Sequence, residues 1–301
     1  MEFRNVTTFI AVARHKNLSR AAAELGYSQS AVTMQLKALE RELGTRLFDR
    51  VPHGVVLTDP GRAFLFHARE IERAADAAAS AVREGVFAGG GLAHATGTLR
   101  VGSAESVATG ILPELLVAFH ELVPNMQVEL TTARRGELTR GLAENSLDVF
   151  LTMEPPIEEA GLIRETLRGE QISFVAAPSM LGDGGACPLA PDELIRLPFV
   201  LTEHGQSYRA ELDRMLAERG LSIAPVIEAG SADTLVHLAA RGVGATFVPR
   251  FSAASALAAG ELRELTVDLP PITMDIQMLV HKRKWQTPAL KAFMGLARGV
   301  M

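Results

Sequence analysis

Between positions 28 and 37, Ser28, Gln29, Ser30, Thr33, Met34 and Lys37 place hydroxyls, an amide, a thioether and an ammonium within three helical turns. On a helix, Gln29, Ser30, Thr33 and Lys37 fall on one exposed arc. Short amides and hydroxyls exchange hydrogen bonds with base edges and phosphates, whereas long acids there would repel a nucleic-acid backbone. A second set lies further along: Ser103, Glu105, Ser106, Thr132, Thr152, Thr202, Glu203, Ser207 and Ser231, gathered where apolar runs end. Groups at such places suit a small molecule held by hydrogen bonds. Catalysis has no comparable signature. The chain holds no G-x-S-x-G elbow, no H-E-x-x-H and no Cys/His ligand spacing. Gly242-Val243-Gly244 precedes an apolar run, whereas a dinucleotide fingerprint follows one. The expectation is a binding protein, not an enzyme, with no metal and no cofactor.

The first set needs a helix held at a fixed angle to a partner, and the flanking residues supply one. Ser19 is placed to cap a short helix running from Arg20 to Leu25, rich in the strong formers Ala21, Ala22 and Ala23. Gly26 suits its left-handed end, and Ser28 caps a second helix. Val32, Leu36, Leu39 and Leu43 recur at four, three and four, one buried stripe. Two helices joined by a short Gly-containing turn form a helix-turn-helix, which lays its second helix in the DNA major groove. Beyond it, Val51-Pro52-His53-Gly54 sits between two short apolar runs and reads as a hairpin. As a wing it would bring Arg50, and less decisively His53, to the sugar-phosphate backbone.

Asp59-Pro60 then opens an Ala-rich helix reaching to about Val86. Phe64, Ala68, Ile71, Ala75, Ala78 and Val82 form a heptad seam for pairing with a second copy, the alternative being a long helix packed on its own chain. His67 and Glu70 share a face of it and are read as solvated. Gly85, Gly89-Gly90-Gly91 and Gly97 mark a hinge rather than a phosphate loop, since no Gly-Lys-Ser/Thr follows. From Thr98 onward, strand-like runs alternate with helices, one of them read from Ser106 to Leu122, which predicts mainly parallel sheets with a ligand site at the strand ends. Glu105 in that site favours an amine or polyhydroxy ligand, unless Arg134, Arg135 or Arg209 offsets its charge.

The 301 residues suffice for two or three domains, and the net charge of −5 is unevenly divided. Eight basic against six acidic side chains leave the first sixty residues at +2, and the remainder at −7. A mildly basic head on an acidic body directs the head to phosphates, and so weak a surplus calls for more than one copy. Cys187 is the only cysteine, which excludes an intramolecular disulfide; it is read as an ordinary thiol. No signal-peptide pattern or bilayer-length apolar run is present, so the expectation is a cytoplasmic protein without a membrane partner.

Residues 1–61 resemble the N-terminal domain of LysR-type transcriptional regulators. The likeness is carried by Phe9, Val12, Ala13, Leu18, Ser19, Ala21, Ala22, Leu25, Ser28, Gln29, Ala31, Val32, Gln35, Leu39, Glu40, Leu43 and Gly44, then Leu47-Phe48, Arg50, Leu57-Thr58 and Gly61. Many family members carry arginine where this chain has Met34, so one charge-assisted DNA contact is expected to be missing. Leu99 to Ser103, Ile111-Leu112-Pro113, Leu142 to Val149 and Gly242 to Ala245 with Val248-Pro249 resemble the family's effector domain. The resemblance implies a winged helix-turn-helix (all-α with a small β wing) over 1–58 and a linker helix with hinge over 59–97. An α/β effector domain, like a periplasmic binding protein in two subdomains, would fill 98–301. The chain would cross between subdomains near Gly169–Gln171 and return near Val267–Leu269, giving subdomain I about 98–170 and 268–301 and subdomain II about 171–267. Ser103, Thr152 and Thr202 match positions where relatives hold their effector. The resemblance also implies double-stranded operator DNA with A·T-rich inverted repeats, a dimer of dimers, and contact with RNA polymerase. The rival reading is a small-solute-binding protein without a transcriptional role, for which the first ninety residues would be superfluous.

Overall fold

In the computed structural model, which describes residues 1–52, 54–83, 92–181 and 188–300, each early helix ends for a legible reason. His53, the glycines at 85 and 89–91, and Cys187 lie outside the described residues, as does the side chain of Val82. Helix α1 (Phe3–His15) is followed by α2 (Leu18–Leu25), capped by Asn17, whose Oδ1 accepts from the amides of Ser19 and Arg20. The cap is therefore two residues earlier than Ser19; the Asx side chain satisfies two amides of the first turn, Ser19's own among them, and leaves the serine hydroxyl for another partner. Gly26 is left-handed at φ 68°, and Ser28 caps α3 (Gln29–Leu43) by accepting from Ala31 N–H. Val32, Leu36 and Leu39 are buried as the stripe requires, but Leu43, in the last turn, is exposed. Strands β1 (Phe48–Val51) and β2 (Gly54–Leu57) form the antiparallel wing. Near its turn the wing rests on the end of α1: Val55 N–H donates to the Lys16 carbonyl at 3.0 Å. A Cβ on Gly54 (φ 149°) would stand 2.1 Å from that oxygen, so the position excludes any side chain.

Helix α4 (Asp59–Arg83) leaves this unit. The sequence assigned its whole apolar seam to a second copy, and the first half is corrected here. Phe64 stacks edge-on against Phe9 at 5.0 Å, Ala68 is fully buried, and Ile71 packs on the same N-terminal core. A helix 25 residues long leaves a small domain before it ends, so its opening turns serve as that domain's fourth wall. Ala75 is half-buried and Ala78 exposed, which leaves the distal seam open.

The body begins with β3 (Gly97–Ser103), α5 (Glu105–Gly110) and α6 (Leu112–Leu122). The one long helix expected here is two, because Pro113 has no N–H to continue α5 and instead opens α6. Then follow β4 (Met126–Thr132), α7 (Arg135–Ala143), β5 (Val149–Glu154) and the long β6 (Leu162–Ala176). The second lobe holds α8 (Pro191–Leu194), β7 (Val200–Leu201), α9 (Ser207–Ala217), β8 (Ile227–Glu228), α10 (Ala232–Ala240), β9 (Thr246–Pro249), α11 (Arg250–Ala258) and β10 (Arg263–Glu264). Strand β11 (Ile272–His281) returns to the first lobe and α12 (Pro288–Val300) covers it, Phe293 meeting Phe119 of α6 edge-on at 5.5 Å.

The large sheet runs β10-β6-β11-β5-β3-β4, with β9 beside β6. It is mixed rather than mainly parallel: β3 is parallel to β4 and β5, whereas β11 is antiparallel to β5 and β6. Because β6 and β11 are long, they pass through both lobes and join them. At a shift in their register, Gln277 is fully buried and donates to the carbonyls of Glu154 and Pro155 while accepting from Ile157 N–H. This one amide fixes the end of β5, where the cleft lies.

Candidate DNA-reading face and effector cleft

On α3, Gln29, Ser30, Met34 and Lys37 are exposed and Thr33 is partly so, as the arc requires. Thr33 Oγ1 returns its proton to the Gln29 carbonyl at 2.9 Å, and Ser30 shares a hydrogen bond with Ser28. Ser19, displaced from the capping role, donates its hydroxyl proton to Gln29 Oε1 at 3.1 Å and holds the amide in place. The –NH₂ end of Gln29 is left as a donor toward an incoming acceptor. A shallow groove between α3 and the wing is bordered by Asn17, Ser19, Gln29, Thr33 and Arg50. A second groove continues it past Lys37, Arg46 and Asp49. Thus Gln29, Thr33, Lys37 and Arg50 are brought together as expected. Asn17, Ser19 and Arg46 are additions; a polar residue at the N-terminus of α2 was the available signal, and it was read only as a cap. Met34 is 72% exposed, a large apolar side chain without cover at the centre of a polar face.

The second set lies at the carboxyl ends of β3, β4, β5 and β7, between the lobes. Among the described residues, three polar side-chain contacts at these strand ends cross from one lobe to the other. Glu105 Oε2 accepts from Ala232 N–H at 3.3 Å, at the N-terminus of α10, where Ser231 makes no side-chain cap. A carboxylate there is favoured by the partial positive charge of the helix end. Ser207 Oγ donates to the Met153 carbonyl at 2.9 Å, and Arg134 pairs with Glu203 at 2.7 Å at the exposed rim. Beneath these, Ser103 is buried and donates to the Ala104 carbonyl, and Thr152 is buried and donates to Glu154 Oε1. Thr202 is buried near Tyr208. Burial, and next the nearby Glu105 charge, push the Tyr208 phenol well above its usual range, while Thr202 pulls it back. Tyr208 is a wall residue that sequence reasoning missed; its only signal was its place in the first turn after Ser207.

The remaining members are less central. Thr132 is level with Ser103 but exposed at the outer strand, and Ser106 is buried inside α5. Neither takes part in a bond across the cleft among the described residues. The arginines expected to offset Glu105 do not do so. Arg134 serves Glu203, Arg135 approaches Glu154 at 3.4 Å, and Arg209 is buried behind β7 against Asp213 and the Thr202 carbonyl. Helix α10 takes their place, because its amide is the donor that lies within reach of the carboxylate.

An exposed reading helix with its wing, carried on a long helix beside a two-lobed cleft, defines a DNA-binding transcriptional regulator with an effector-binding body. Comparison with known proteins gives the same result for both parts. Residues 3–62 match the family profile described as bacterial regulatory helix-turn-helix protein, lysR family, and residues 93–301 match the LysR substrate binding domain. The transcriptional regulator YwqM of Bacillus subtilis is 31% identical, with 99% of each chain covered. CbbR of Rhodospirillum rubrum is 30% identical, over 98% of this chain and 95% of its own. Among solved structures, full-length CbnR in complex with its target DNA matches with a TM-score of 0.62 and 26% identity over all of both chains. Full-length OxyR of Pseudomonas aeruginosa has the same fold, with a TM-score of 0.71 and 22% identity over 100% of this chain and 94% of that one. The chain belongs to the LysR family of transcriptional regulators.

Proposed function

We propose that α3 reads a promoter or operator through Gln29, Ser30, Thr33 and Met34, while Lys37 and Arg50 neutralise phosphates; Ser28 sets the helix start, and His53 lies outside the described residues. The observation that supports this most is the exposed arc itself, ordered at Gln29 by Ser19 and faced by Arg50 across one groove. Met34 replaces a charged contact by an apolar one and suits a thymine methyl group, in keeping with A·T-rich sites. The domain limits given above, 1–58, 59–97 and 98–301, follow from the same reading.

The effector is a small molecule held between the lobes by Ser103, Glu105, Thr152, Thr202 and Ser207, with Glu203 and Ser231 at the margin and Ser106 and Thr132 outside the direct contacts. The protein acts by binding rather than catalysis, in the cytoplasm, without a cofactor. Subunits pair through the open end of the α4 seam at Ala75, Ala78 and Val82, and two dimers assemble on DNA, where RNA polymerase is met. Effector binding changes the balance between two arrangements of the assembly, and its differential affinity for them is the signal.

The test uses purified full-length protein in a thermal-shift screen of amines, polyols and carboxylates. Ser103→Ala and Thr202→Val should each abolish the shift given by a hit while DNA affinity is retained. An unchanged shift in both variants would place the effector elsewhere.

A further inference from the structure

The side chains of the cleft offer a ligand more acceptors than donors. A hydroxyl has one proton to give, and three of the cleft's hydroxyls give theirs to the protein itself. Ser103 donates to the Ala104 carbonyl and Ser207 to the Met153 carbonyl, each at 2.9 Å, and Thr152 donates to Glu154 Oε1 at 3.3 Å. Lone pairs are what these groups keep for a bound molecule. Thr202 is 2% exposed, and its Oγ1, although beside Tyr208, completes no hydrogen bond among the described residues. An orphaned oxygen at such depth costs stability until a partner arrives.

The charges point the same way. Arg134 is taken by Glu203 at 2.7 Å and Arg135 by Glu154 at 3.4 Å. Arg209 is balanced by Asp213 at 2.7 Å and Glu228 at 3.9 Å. Its Nη2 is buried unpaired, but the charge it carries is already answered by those two carboxylates. Glu105 has no such counterpart. Among the described residues its carboxylate pairs with no lysine, arginine or histidine, and it accepts from Ala232 N–H at 3.3 Å. A helix end supplies a fraction of a charge, and at that length the bond is weak. Half-buried at the start of α5, Glu105 is the cleft's unanswered charge, in an acidic body whose field draws cations in. Glu105 and Thr202 both act on the Tyr208 phenol, which puts them close enough together for one small ligand to meet.

A carboxylate effector would meet this charge and a set of acceptors, with no free cation to receive it. A polyol would replace the α10 amide by a donor no stronger than the one lost. A primary ammonium brings a full charge to Glu105 and has three N–H groups for three acceptors. We propose that the effector is a small primary amine. Its ammonium group takes Glu105 from the α10 amide and donates its remaining protons to Thr202 Oγ1 and a neighbouring hydroxyl oxygen. The inference deepens the effector-cleft reading and rests on it.

Full-length protein is titrated at matched ionic strength with two sets of compounds, each set sharing one skeleton: ethanolamine, ethylene glycol and glycolate, then putrescine, butanediol and succinate. Binding is read as a rise in the melting temperature of the body. The amine of at least one set should raise it, and the matching alcohol and acid should not. Glu105→Gln should weaken that amine's binding about tenfold or more. A rise produced by either acid and lost in Thr202→Val would keep the cleft and overturn the amine. So would the absence of any amine rise in wild type, a comparison that stands even if Glu105→Gln does not fold. An amine rise undiminished in Glu105→Gln is non-specific and overturns the proposal too. A rise that survives in both Ser103→Ala and Thr202→Val, whatever the compound, would instead overturn the cleft reading itself.

Discussion

The two sites of this chain are built in opposite ways. The candidate DNA-reading face comes from one helix and one hairpin, and most of its side chains point outward: Gln29, Ser30, Met34 and Lys37 are exposed. The candidate cleft is assembled from segments whose contacts span 54 to 127 residues, and several of its polar groups are engaged across it. Glu105 holds the start of α10, Ser207 holds the Met153 carbonyl and Arg134 holds Glu203. A preformed open face binds by adding contacts, whereas a cleft laced by its own side chains binds by exchanging them. On the proposed reading the first can be rigid, whereas the second couples binding to the lobes, because an effector that takes Glu105 or Ser207 replaces a contact between them.

The largest effect is expected at the wing. Gly54→Ala places a methyl against the Lys16 carbonyl and requires a backbone angle that alanine resists, at a cost of about 3 kcal/mol. Thermal melts should show the N-terminal unit weakened while the body's transition stays put. Next, Gln29→Ala with Thr33→Ala should remove about 1–3 kcal/mol of discrimination between operator and scrambled DNA for each base that is no longer read. Undiminished discrimination would mean that another face reads the sequence. Glu105→Gln keeps the shape of the cleft but exchanges a charged acceptor at a helix start for a neutral one, lowering the body's stability by about 1 kcal/mol. Smallest is Arg134→Gln: its rim pair is solvent-exposed, and the expected loss is about 0.5 kcal/mol, fading as salt is raised. A loss several times larger would show that the rim pair, not the buried contacts, keeps the cleft closed.

The same contrast decides what the sequence made legible. Helix α3, its Ser28 cap and Gly26 rest on neighbours within about four residues and the hairpin on pairs at most nine apart, and their spacing is enough to place them. The misses on that side are local too: the helix is capped by Asn17, two residues ahead of Ser19, and Leu43 fell beyond the end of the core. In the body, the strands were legible but not their directions. The antiparallel entry of β11 between β5 and β6 depends on pairing across some 120 residues, as with Gln277 and Ile157, which no local period records. Tyr208 on the cleft wall and the α10 amide that replaces an arginine opposite Glu105 were hidden for that reason. The α4 seam was half legible: its period was right, but a heptad does not say whether the neighbour is another chain or the one it belongs to.

Sequence reading by α3 can be checked in a single experiment, fluorescence anisotropy of the purified full-length protein. Its own upstream duplex is compared with a scrambled duplex at matched salt, for wild type and for the Gln29→Ala, Thr33→Ala pair. The prediction is salt-sensitive preference for the upstream duplex in wild type, collapsing in the double variant to the affinity shown for scrambled DNA. Equal, weak binding of wild type to both duplexes, or full preference retained by the double variant, would contradict it.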